Sequence, residues 1–359
     1  MEKKGTIAVA MSGGVDSSVA ALLLQTAGRS VIGISMRLFD CSDASSPGRC
    51  CCSRDFADAR RIAASLGFPY YVFDFEEKFR EKIIGPFLEQ YLRGRTPSPC
   101  ILCNSLLKFD ELLKKAAELG AEMIATGHYA RIARDPQTGL YRLLKGRDSS
   151  KDQSYFLFQL NQNQLSRTLF PVGEYLKTEI VEIAKVHRIF TIPKPESQEL
   201  CFVRQDGYAR FIEEHADRNR LKPGSIVTTT GKVIASHTGI HQFTVGQRRG
   251  LGVAEGEPLY VISIDPRTGN VVVGPRHELF RSELVAGSVT WISGQAPEKS
   301  LEITAKIRYR HAAAPGTFVP LSENTGKIIF SKPVRAVTPG QAVVFFDGDT
   351  ILGGGWIEA

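Results

Sequence analysis

The sequence has no long run of apolar residues, and this absence argues against a membrane-spanning helix. Apolar runs such as residues 20–24 fall far short of the ~20 residues that such a helix needs. Near the N-terminus, Lys3 and Lys4 precede a short apolar run that a glycine-rich motif interrupts at once. This pattern does not match a secretory signal peptide. We therefore expect a cytoplasmic protein with no membrane partner.

Cysteine is also scarce, and its distribution argues against a disulfide framework. The chain has 7 cysteines among 359 residues, which is an odd number, and several of them are clustered. Without a secretory context, such cysteines are typically reduced thiols with catalytic, metal-binding or redox roles.

The composition is that of a globular protein with a substantial core, at 43% hydrophobic and 23% charged residues. The chain is longer than one ordinary domain, so we expect two or three domains. The formal net charge is +7 and the pI is about 9.0. By itself, a positive charge of this size is only a weak indication of a nucleic-acid partner.

The first part of the chain, residues 1–207, alternates β-type runs with stretches of helical apolar spacing. This alternation predicts an α/β domain with a doubly wound parallel sheet. Strands are predicted at residues 5–10, 31–36, 70–73 and 123–125, and helices at residues 17–27 and 55–66.

Beyond this part, short β-type runs are separated by Gly, Pro and Asp turns. The change predicts a small mixed or all-β central domain at residues 208–282 and a C-terminal β-barrel at residues 283–359. Strands are predicted here at residues 226–229, 259–264, 270–273, 301–309 and 342–346.

The strongest local signal is SGGVDSS at residues 12–18, which we name the phosphate loop. It lies between a predicted strand and a predicted helix. Two glycines let the backbone turn sharply, so that successive N–H groups can converge on an anion. The helix that follows directs the positive end of its dipole at the same point. The loop lacks the lysine of a Walker A motif, which argues against kinase or GTPase chemistry.

The cysteine segment, PSPCILCN at residues 97–104, places Cys100 and Cys103 in a Cys-x-x-Cys spacing. Its prolines predict an extended, exposed and mobile approach. The spacing is compatible with half of a zinc site, a redox pair, or a nucleophile with a helper thiol. A zinc site would need two further ligands. Cys201 lies between Leu200 and Phe202, a setting typical of a small buried hydrophobe.

The other cysteines are interpreted as structural. Three adjacent side chains on an extended chain cannot all face one ligand. These cysteines are Cys41, Cys50, Cys51 and Cys52.

The phosphate loop resembles the pyrophosphate-binding loop of ATP pyrophosphatases, which activate a carbonyl oxygen by adenylation. Along nearly its whole length the chain resembles tRNA-specific 2-thiouridylases, the MnmA/TrmU family of PP-loop ATP pyrophosphatases. The motifs that carry this resemblance are, in order, SGGVDSS, PSPCILCN, ATGHYAR, KDQSYFL, ELCFV, HQFTVGQRRGLG and GQAVVFFDGD. The resemblance implies an adenine nucleotide α-hydrolase-like N-terminal domain and ATP-dependent 2-thiolation of a wobble uridine in tRNA.

The same resemblance implies a set of binding residues. Those implied to bind ATP are Ala10, Met11, Ser12, Gly13, Gly14, Val15, Asp16 and Ser17 at the phosphates, with Met36 and Gly127 beside the nucleotide. Those implied to contact tRNA are His128, Lys151, Asp152, Gln153, Arg308, Tyr309 and Gln341, with Ser98, Pro99 and Cys100 against the target base.

In that family, the cysteines at the positions of Cys103 and Cys201 are the catalytic pair. A persulfide on Cys201 would supply sulfur to C2 of the adenylated uracil, and Cys103 would then form a disulfide with Cys201. Asp16 is the best candidate nearby for binding Mg²⁺ or positioning a phosphate. The implied partners are tRNA with Lys, Glu and Gln acceptors and a protein that donates persulfide sulfur.

Two other functions stay open on the sequence. Cys100, Cys103 and Cys201 together could hold an iron–sulfur cluster. The protein would then be an iron–sulfur-dependent tRNA thiolase such as a 2-thiocytidine synthetase. The second alternative is a zinc- or cluster-bearing RNA-binding protein without catalysis.

Basic residues suggest where RNA would bind. Lys306, Arg308 and Arg310 alternate along the predicted strand at residues 301–309 and would share one face of it. A second basic turn contains Arg248 and Arg249. Both groups would bind phosphates with salt-sensitive affinity.

Overall fold

A computed structural model describes residues 5–39, 53–189, 200–203, 207–253 and 257–358. Cys41, Cys50, Cys51 and Cys52 lie outside the described residues, and so do residues 197–199 before Leu200. Within the described ranges, no helix has both the length and the apolar character needed to cross a membrane.

The N-terminal domain is built on a parallel sheet. Its strands pair in the order β3-β2-β1-β4-β7, and every pairing is parallel. The strands of this part of the chain are β1 (Thr6–Ala10), β2 (Val31–Arg37), β3 (Tyr70–Asp74), β4 (Ala121–Thr126), β5 (Ala130–Arg134), β6 (Tyr141–Lys145) and β7 (Thr168–Leu169).

Helices cover both faces of this sheet. The α-helices are α1 (Val15–Thr26), α2 (Ser53–Leu66), α3 (Glu76–Phe79), α4 (Gly85–Leu92), α5 (Pro99–Leu102), α6 (Leu112–Glu118), α7 (Gln162–Ser166), α8 (Lys177–Val186) and α9 (Tyr208–His215). Arg80–Ile84 and Cys103–Glu111 are π-helical, and 3₁₀ turns lie at Ser154–Leu157, Pro171–Glu174, Arg218–Arg220, Ile240–Gln242 and Arg276–Leu279.

Strand β1 shows why the sheet is buried on both faces. Ile7 and Val9 pack into one hydrophobic cluster together with α1, α2 and α8, whereas Ala8 packs into a second cluster on the opposite face. Successive side chains of a strand point to opposite faces, so a strand covered on both sides must be apolar throughout. The TIAVA sequence of β1 meets this requirement.

The strand order creates a crevice at one edge of the sheet. From β1 the chain moves outward to β2 and β3, and it then returns to place β4 on the other side of β1. The connections that leave β1 and β4 therefore diverge, and open α/β sheets bind ligands at such a point. The phosphate loop follows β1 and Gly127 follows β4, so both lie at this crevice.

The central domain is a small sheet in the order β10-β11-β8-β9. Strands β11 and β8 are parallel, whereas the other pairs are antiparallel. The strands are β8 (Gly224–Thr228), β9 (Val233–His237), β10 (Tyr260–Asp265) and β11 (Asn270–Gly274).

The C-terminal domain is a closed barrel, in the order β12-β15-β14-β13-β16-β17 with β17 returning to β12. Closure removes exposed strand edges from the barrel wall. The hairpin β5–β6 extends the barrel sheet, because Leu143 and Leu144 of β6 pair with Ile351 and Thr350 of β17. The strands are β12 (Phe280–Trp291), β13 (Leu301–Lys306), β14 (Ala314–Ser322), β15 (Thr325–Arg335), β16 (Ala342–Asp347) and β17 (Thr350–Ile357).

The predicted fold class is confirmed: a doubly wound parallel sheet is followed by a mixed β domain and a β-barrel. One predicted strand is wrong in its extent. The strand expected at residues 301–309 ends at Lys306, and the chain then turns, with the N–H of His311 donating to the carbonyl of Arg308 at 3.0 Å. Lys306, Arg308 and Arg310 therefore do not share the face of one strand.

Candidate active site

The backbone conformation of the phosphate loop requires glycine at position 13. Gly13 has a φ of +68°, a region that favours glycine. A Cβ atom at Gly13 would lie 2.5 Å from the carbonyl oxygen of Asp55. Ser17 and Ser18 both donate their hydroxyl groups to the carbonyl of Gly14, at 3.1 and 2.8 Å. These bonds fix the turn that leads into α1.

Gly14 occupies the N-cap of α1 and, being glycine, has no side chain to cap the first turn. Helix N-termini present N–H groups without an intrahelical partner, and the helix dipole favours negative charge there. The loop and the helix thus form a cradle for phosphate groups.

Gly127 follows β4 and Met36 lies near the end of β2, the two strands that pair with β1. A Cβ atom at Gly127 would lie 2.7 Å from the backbone nitrogen of Ser17 and 3.0 Å from Cβ of Asp16. Only glycine allows the end of β4 to approach the phosphate loop so closely. Met36 is buried near the end of β2, which pairs with β1. The structure thus brings the residues implied to bind ATP to one edge of the sheet.

Asp16 has partners that the sequence did not reveal. Its Oδ1 accepts a hydrogen bond from the hydroxyl of Tyr129 at 2.8 Å and forms an ion pair with Nζ of Lys177 at 2.6 Å. The Lys177 ammonium also lies 5.9 Å from the centre of the Tyr129 ring. Since 161 positions separate Asp16 from Lys177, no motif connects the two residues.

From Pro99 onward the cysteine segment is helical, so the prediction of an extended approach to Cys103 is wrong. Pro99 is the first residue of α5, a position where proline fits because its missing N–H would have no helical partner. The chain continues into the π-helical Cys103–Glu111. Cys100 is exposed, whereas Cys103 is half-buried. Cys103 is therefore held on a helix.

Cys201 lies in a short turn closed by a hydrogen bond from the N–H of Val203 to the carbonyl of Leu200, at 3.0 Å. Its neighbour Phe202 is buried and makes edge-to-face contacts with Phe79 and Phe87, at centroid distances of 5.7 and 5.0 Å. Cys201 is half-buried, as its apolar sequence predicts.

Both cysteines of the implied catalytic pair pack against the same hydrophobic cluster. This cluster contains Met36 of β2 and Phe202 beside Cys201, with Cys103 and Cys201 partly buried against it. The cluster continues into the barrel through Ala342 and Val344, so both thiols pack against a core that the two domains share.

The described residues include the three cysteines that were candidates for a cluster. Across the described part of the chain, no three His, Cys, Asp or Glu side chains are grouped to hold a metal ion, and Cys100, Cys103 and Cys201 belong to that part. His237 and His241 have a His-x-x-x-His spacing, but their rings bond to the Gly269 carbonyl and the Glu213 carboxylate, at 2.9 and 3.1 Å.

Residues implied to contact tRNA organise the loop beside Tyr129. The buried carboxylate of Asp152 accepts from the N–H groups of Gly146 and Ser154, both at 3.1 Å. Gln153 brackets Tyr129: its Oε1 accepts from the Tyr129 N–H at 3.0 Å, and its own N–H donates to the Tyr129 carbonyl at 2.8 Å. Lys151 is half-buried next to them.

His128 packs against aromatic residues. Its Nδ1 is 2.7 Å from the Thr126 hydroxyl, and its ring centre lies about 6 Å from those of Phe109 and Phe170. Burial, and secondarily the charge of Lys108, hold the pKa of His128 well below its usual value.

The side chains of Arg308 and Gln341 donate hydrogen bonds to other residues of the protein. Nη2 of Arg308 donates to the carbonyls of Val245 and Ala336 at 2.8 and 3.1 Å and to the Thr338 hydroxyl. Burial lowers the pKa of Arg308 from its usual value. Arg308 thus joins the central domain to the barrel.

Tyr309 and Lys306 also face inward. The ring of Tyr309 is 4.5 Å from that of Phe156, and the Lys306 ammonium lies 5.3 Å from the Tyr309 ring centre. Burial lowers the pKa of Lys306. The proposed basic face of Lys306, Arg308 and Arg310 therefore does not exist, and the exposed members of the two basic groups are Arg248, Arg249 and Arg310.

The fold and the site together define a class of protein: a parallel α/β domain with a phosphate loop that has no lysine, and two half-buried thiols packed against one hydrophobic cluster. Three family models match successive parts of the chain. They are described as the tRNA methyl transferase HUP domain (residues 5–205), the tRNA methyl transferase PRC-barrel domain (residues 209–275) and the aminomethyltransferase beta-barrel domain (residues 281–357).

Curated relatives are similar over the whole chain. The tRNA-specific 2-thiouridylase MnmA of Geotalea uraniireducens is 50% identical, covering 99% of this chain and 96% of its own. That of Geobacter metallireducens is 50% identical, covering 98% and 96%. The chain therefore belongs to the family of tRNA-specific 2-thiouridylases. The family models mention methyl transfer, whereas the half-buried thiols fit the chemistry named by the full-length relatives.

Likeness to solved structures is slight. A 4-thiouridine synthetase–RNA complex with bound ATP is 20% identical, with a TM-score of 0.33, covering 52% of this chain and 41% of that chain. A TM-score this low carries no inference about fold or function.

Proposed function

We propose that this protein converts the wobble uridine of tRNA to 2-thiouridine by adenylating O2 with ATP and replacing it with persulfide sulfur. The observation that carries the proposal is the shared hydrophobic cluster, against which Met36, Cys103 and Cys201 all pack. The proposed reaction needs a loop that binds the phosphates of ATP and two thiols that carry and release sulfur, and this chain has both.

The first step activates the base. ATP binds with its phosphates against the phosphate loop and the N-terminus of α1. The O2 of uracil forms a bond to the α-phosphorus, the bond from that phosphorus to the bridging oxygen breaks, and pyrophosphate leaves with the electron pair. The N3 proton passes to solvent. AMP at C2 is then a far better leaving group than the original oxygen.

The second step transfers sulfur. A persulfide on Cys201 attacks C2 with its outer sulfur, and AMP leaves. The Cys103 thiolate then attacks the Cys201 sulfur, which breaks the persulfide S–S bond and leaves the outer sulfur on the base. The two cysteines end as a disulfide, and a thiol reductant must restore them before the next turnover.

Mg²⁺ would bind at Asp16 and the phosphates of ATP, where it would neutralise negative charge. One carboxylate at a phosphate cradle fits this ion, because protein-bound Mg²⁺ commonly takes one or two carboxylates together with substrate phosphates. We propose direct persulfide transfer, because the described residues contain no group of three possible metal ligands and two thiols suffice for the transfer.

We propose that tRNA lies across the junction of the three domains. Ser98, Pro99 and Cys100 would face the target base, which must leave the anticodon stack to reach the crevice. Arg248, Arg249 and Arg310 are exposed and can bind phosphates. Arg308, Tyr309 and Gln341 would shape this surface, since their side chains already have contacts within the protein.

The proposals about tRNA acceptors, sulfur donor and location are based on the family resemblance. We propose tRNA with Lys, Glu and Gln acceptors as substrates, a persulfide-bearing protein as the sulfur donor, and the cytoplasm as the place of action. A wobble uridine is the common element of such substrates.

Mass spectrometry of tRNA nucleosides tests the proposal. A strain that lacks this gene should lose 2-thiouridine derivatives and retain 2-thiocytidine. Complementation with the wild-type gene should restore 2-thiouridine, and a Cys201→Ser gene should not. Loss of 2-thiocytidine instead would establish the alternative thiolase.

A further inference from the structure

Tyr129 connects the phosphate loop with the loop that contains Lys151, Asp152 and Gln153. Its hydroxyl donates to Oδ1 of Asp16 at 2.8 Å. Its backbone forms two hydrogen bonds with Gln153, one to the side-chain oxygen at 3.0 Å and one from the backbone N–H at 2.8 Å. One residue therefore contacts the proposed ATP site with its side chain and an implied RNA contact with its main chain.

Tyr129 is held firmly between these two ends. It is 3% exposed and belongs to the hydrophobic cluster that contains Val19 of α1 and Ile180 of α8. A Cβ atom at Gly146 would lie 2.8 Å from the Tyr129 carbonyl oxygen, so only glycine lets the chain after β6 come so close. Gly146 also donates its N–H to the buried Asp152 carboxylate at 3.1 Å. Because close-packed groups transmit displacement, a shift of the 151–153 loop is passed to Tyr129.

The carboxamide of Gln153 has an acceptor that is used and donors that are not. Its Oε1 accepts from the Tyr129 N–H, which fixes the orientation of the amide. Within the part of the chain that the structure describes, Nε2 has no hydrogen-bond partner, and Gln153 is half-buried. The Nε2 donors can therefore bind a phosphate or base oxygen of RNA. Such a bond polarises the amide and strengthens its bond to Tyr129.

At the other end, the Tyr129 hydroxyl restricts the carboxylate of Asp16. Tyr129 and Lys177 both bond to Oδ1, at 2.8 and 2.6 Å, and Oδ2 has no protein partner among the described residues. The Asp16 side chain is 34% exposed, so Oδ2 can bind the Mg²⁺ that accompanies ATP. Holding one oxygen limits rotation of the carboxylate, which lowers the entropy cost of binding a ligand at the other.

We propose that Tyr129 is a positioning residue that couples the two sites, so that tRNA bound at Gln153 raises the affinity of the phosphate loop for ATP and Mg²⁺. This inference rests on the proposed function and on the tRNA contact that the family resemblance implies for Gln153. RNA increases the population of the arrangement in which the Tyr129 hydroxyl holds Asp16. Coupling between binding sites is reciprocal, so ATP raises the affinity for tRNA by the same factor. ATP is then held tightly only when a uridine is present to be adenylated.

The test measures the affinity for α,β-methylene-ATP with Mg²⁺ by calorimetry, without tRNA and with saturating tRNA. This probe cannot be cleaved between its α- and β-phosphates, so no adenylation occurs. The coupling is the ratio of the two dissociation constants. Tyr129→Phe removes only the hydroxyl group. The matched control is Tyr175→Phe, because Tyr175 packs partly buried against the same cluster and its hydroxyl has no hydrogen bond to any described residue. The melting temperature of each variant is recorded first.

The wild-type protein should bind the probe about 10-fold more tightly with tRNA, a coupling of ordinary size. Tyr129→Phe should reduce the ratio to under about 2-fold, whereas its affinity without tRNA should stay within about 3-fold of the wild type. Tyr175→Phe should keep the wild-type ratio. Gln153→Ala should lose the coupling as well. Since both residues act in one chain of contacts, the double variant should lose no more than either single variant.

A wild-type ratio in Tyr129→Phe, or additive losses in the double variant, would overturn the proposal and leave the Tyr129 hydroxyl with a structural role alone. If Tyr129→Phe does not fold, Gln153→Ala decides, because it alters a half-buried polar side chain. A ratio of one in a wild-type protein that still thiolates tRNA would also overturn the coupling. Failure of the proposed function gives a different result: the wild-type protein would then release no pyrophosphate from ATP with tRNA.

Discussion

The side chain of Gln341 donates hydrogen bonds to the carbonyl of Pro97, at 3.2 Å, and to that of the preceding Thr96, at 2.9 Å. A loop of the C-terminal barrel thereby holds the start of the cysteine segment in the N-terminal domain. The backbone supports the same junction, since the Thr96 N–H donates to the Pro339 carbonyl at 2.9 Å. Gln341 can thus influence catalysis without touching a reacting group.

Replacing Gln341 with Ala should slow thiolation more than it weakens tRNA binding. The two lost hydrogen bonds should cost about 1–2 kcal/mol of unfolding free energy, and α5 should lose its fixed position. Single-turnover sulfur transfer and tRNA affinity by filter binding separate the two effects. Glu323→Ala, an exposed position in the barrel, is the control. A large loss of tRNA affinity with normal single-turnover transfer would instead favour a direct RNA contact.

Replacing Arg308 with Ala should lower stability and have little effect on the salt dependence of tRNA binding. The guanidinium group joins Val245 of the central domain to Ala336 and Thr338 of the barrel. Loss of such charged hydrogen bonds should cost about 2–3 kcal/mol, measured by thermal unfolding.

The matched variant is Arg249→Ala, because Arg249 is exposed. It should reduce the slope of log K against log salt by ~1 if one phosphate contact is lost, with normal stability. The opposite pattern, in which Arg308→Ala alters the slope and leaves stability unchanged, would restore Arg308 as a phosphate contact.

Cys103 and Cys201, the proposed catalytic pair, should have distinct fates. Cys201→Ser should still adenylate tRNA but accept no sulfur from a labelled persulfide donor. Cys103→Ser should accept the label and stall, or turn over only with added thiol, because no second thiol releases the sulfur from Cys201. Peptide mapping of the labelled proteins distinguishes these outcomes. Label on Cys103 in the Cys201→Ser protein would reverse the assignment. The wild-type protein, labelled in parallel, is the control.

Glu111 should make stability depend on pH. Hydrogen bonds from Lys78 and then Lys82 lower the pKa of Glu111 to about 2 from its usual 4.5. Glu111 ends the π-helical segment that starts at Cys103, so these ion pairs anchor that segment. Since the folded pKa is depressed, the stabilisation is complete above pH 4.5 and is lost as pH falls towards 2.

Glu111→Gln should therefore lower the free energy of unfolding by about 1–2 kcal/mol at pH 7, after allowance for solvent screening of the lysines. The difference from the wild type should shrink as denaturant titrations are moved below pH 4.5. Glu118→Gln, whose carboxylate is 60% exposed and pairs with Lys115, should show no such trend. A difference that stays constant with pH would exclude the ion pairs as its cause.

Much of the fold could be predicted because its signals are local. The apolar run of β1, the glycines of the phosphate loop and the change to β-type runs after residue 207 each depend on neighbouring residues alone. The errors concern segments whose conformation depends on distant partners. Pro99 starts a helix that barrel residues support, and the strand ending at Lys306 stops where Arg308 turns back to bond with the central domain and the barrel.

By itself, the sequence determined the phosphate loop and the family, because backbone preferences and motif spacing are properties of adjacent residues. Only the tertiary structure decided which charge faces Asp16, since Lys177 lies 161 positions away. That pairing depends on the order of the strands and the packing of α8 against α1. Long-range contacts of this kind arise only when the whole domain buries its core, and no local pattern specifies them.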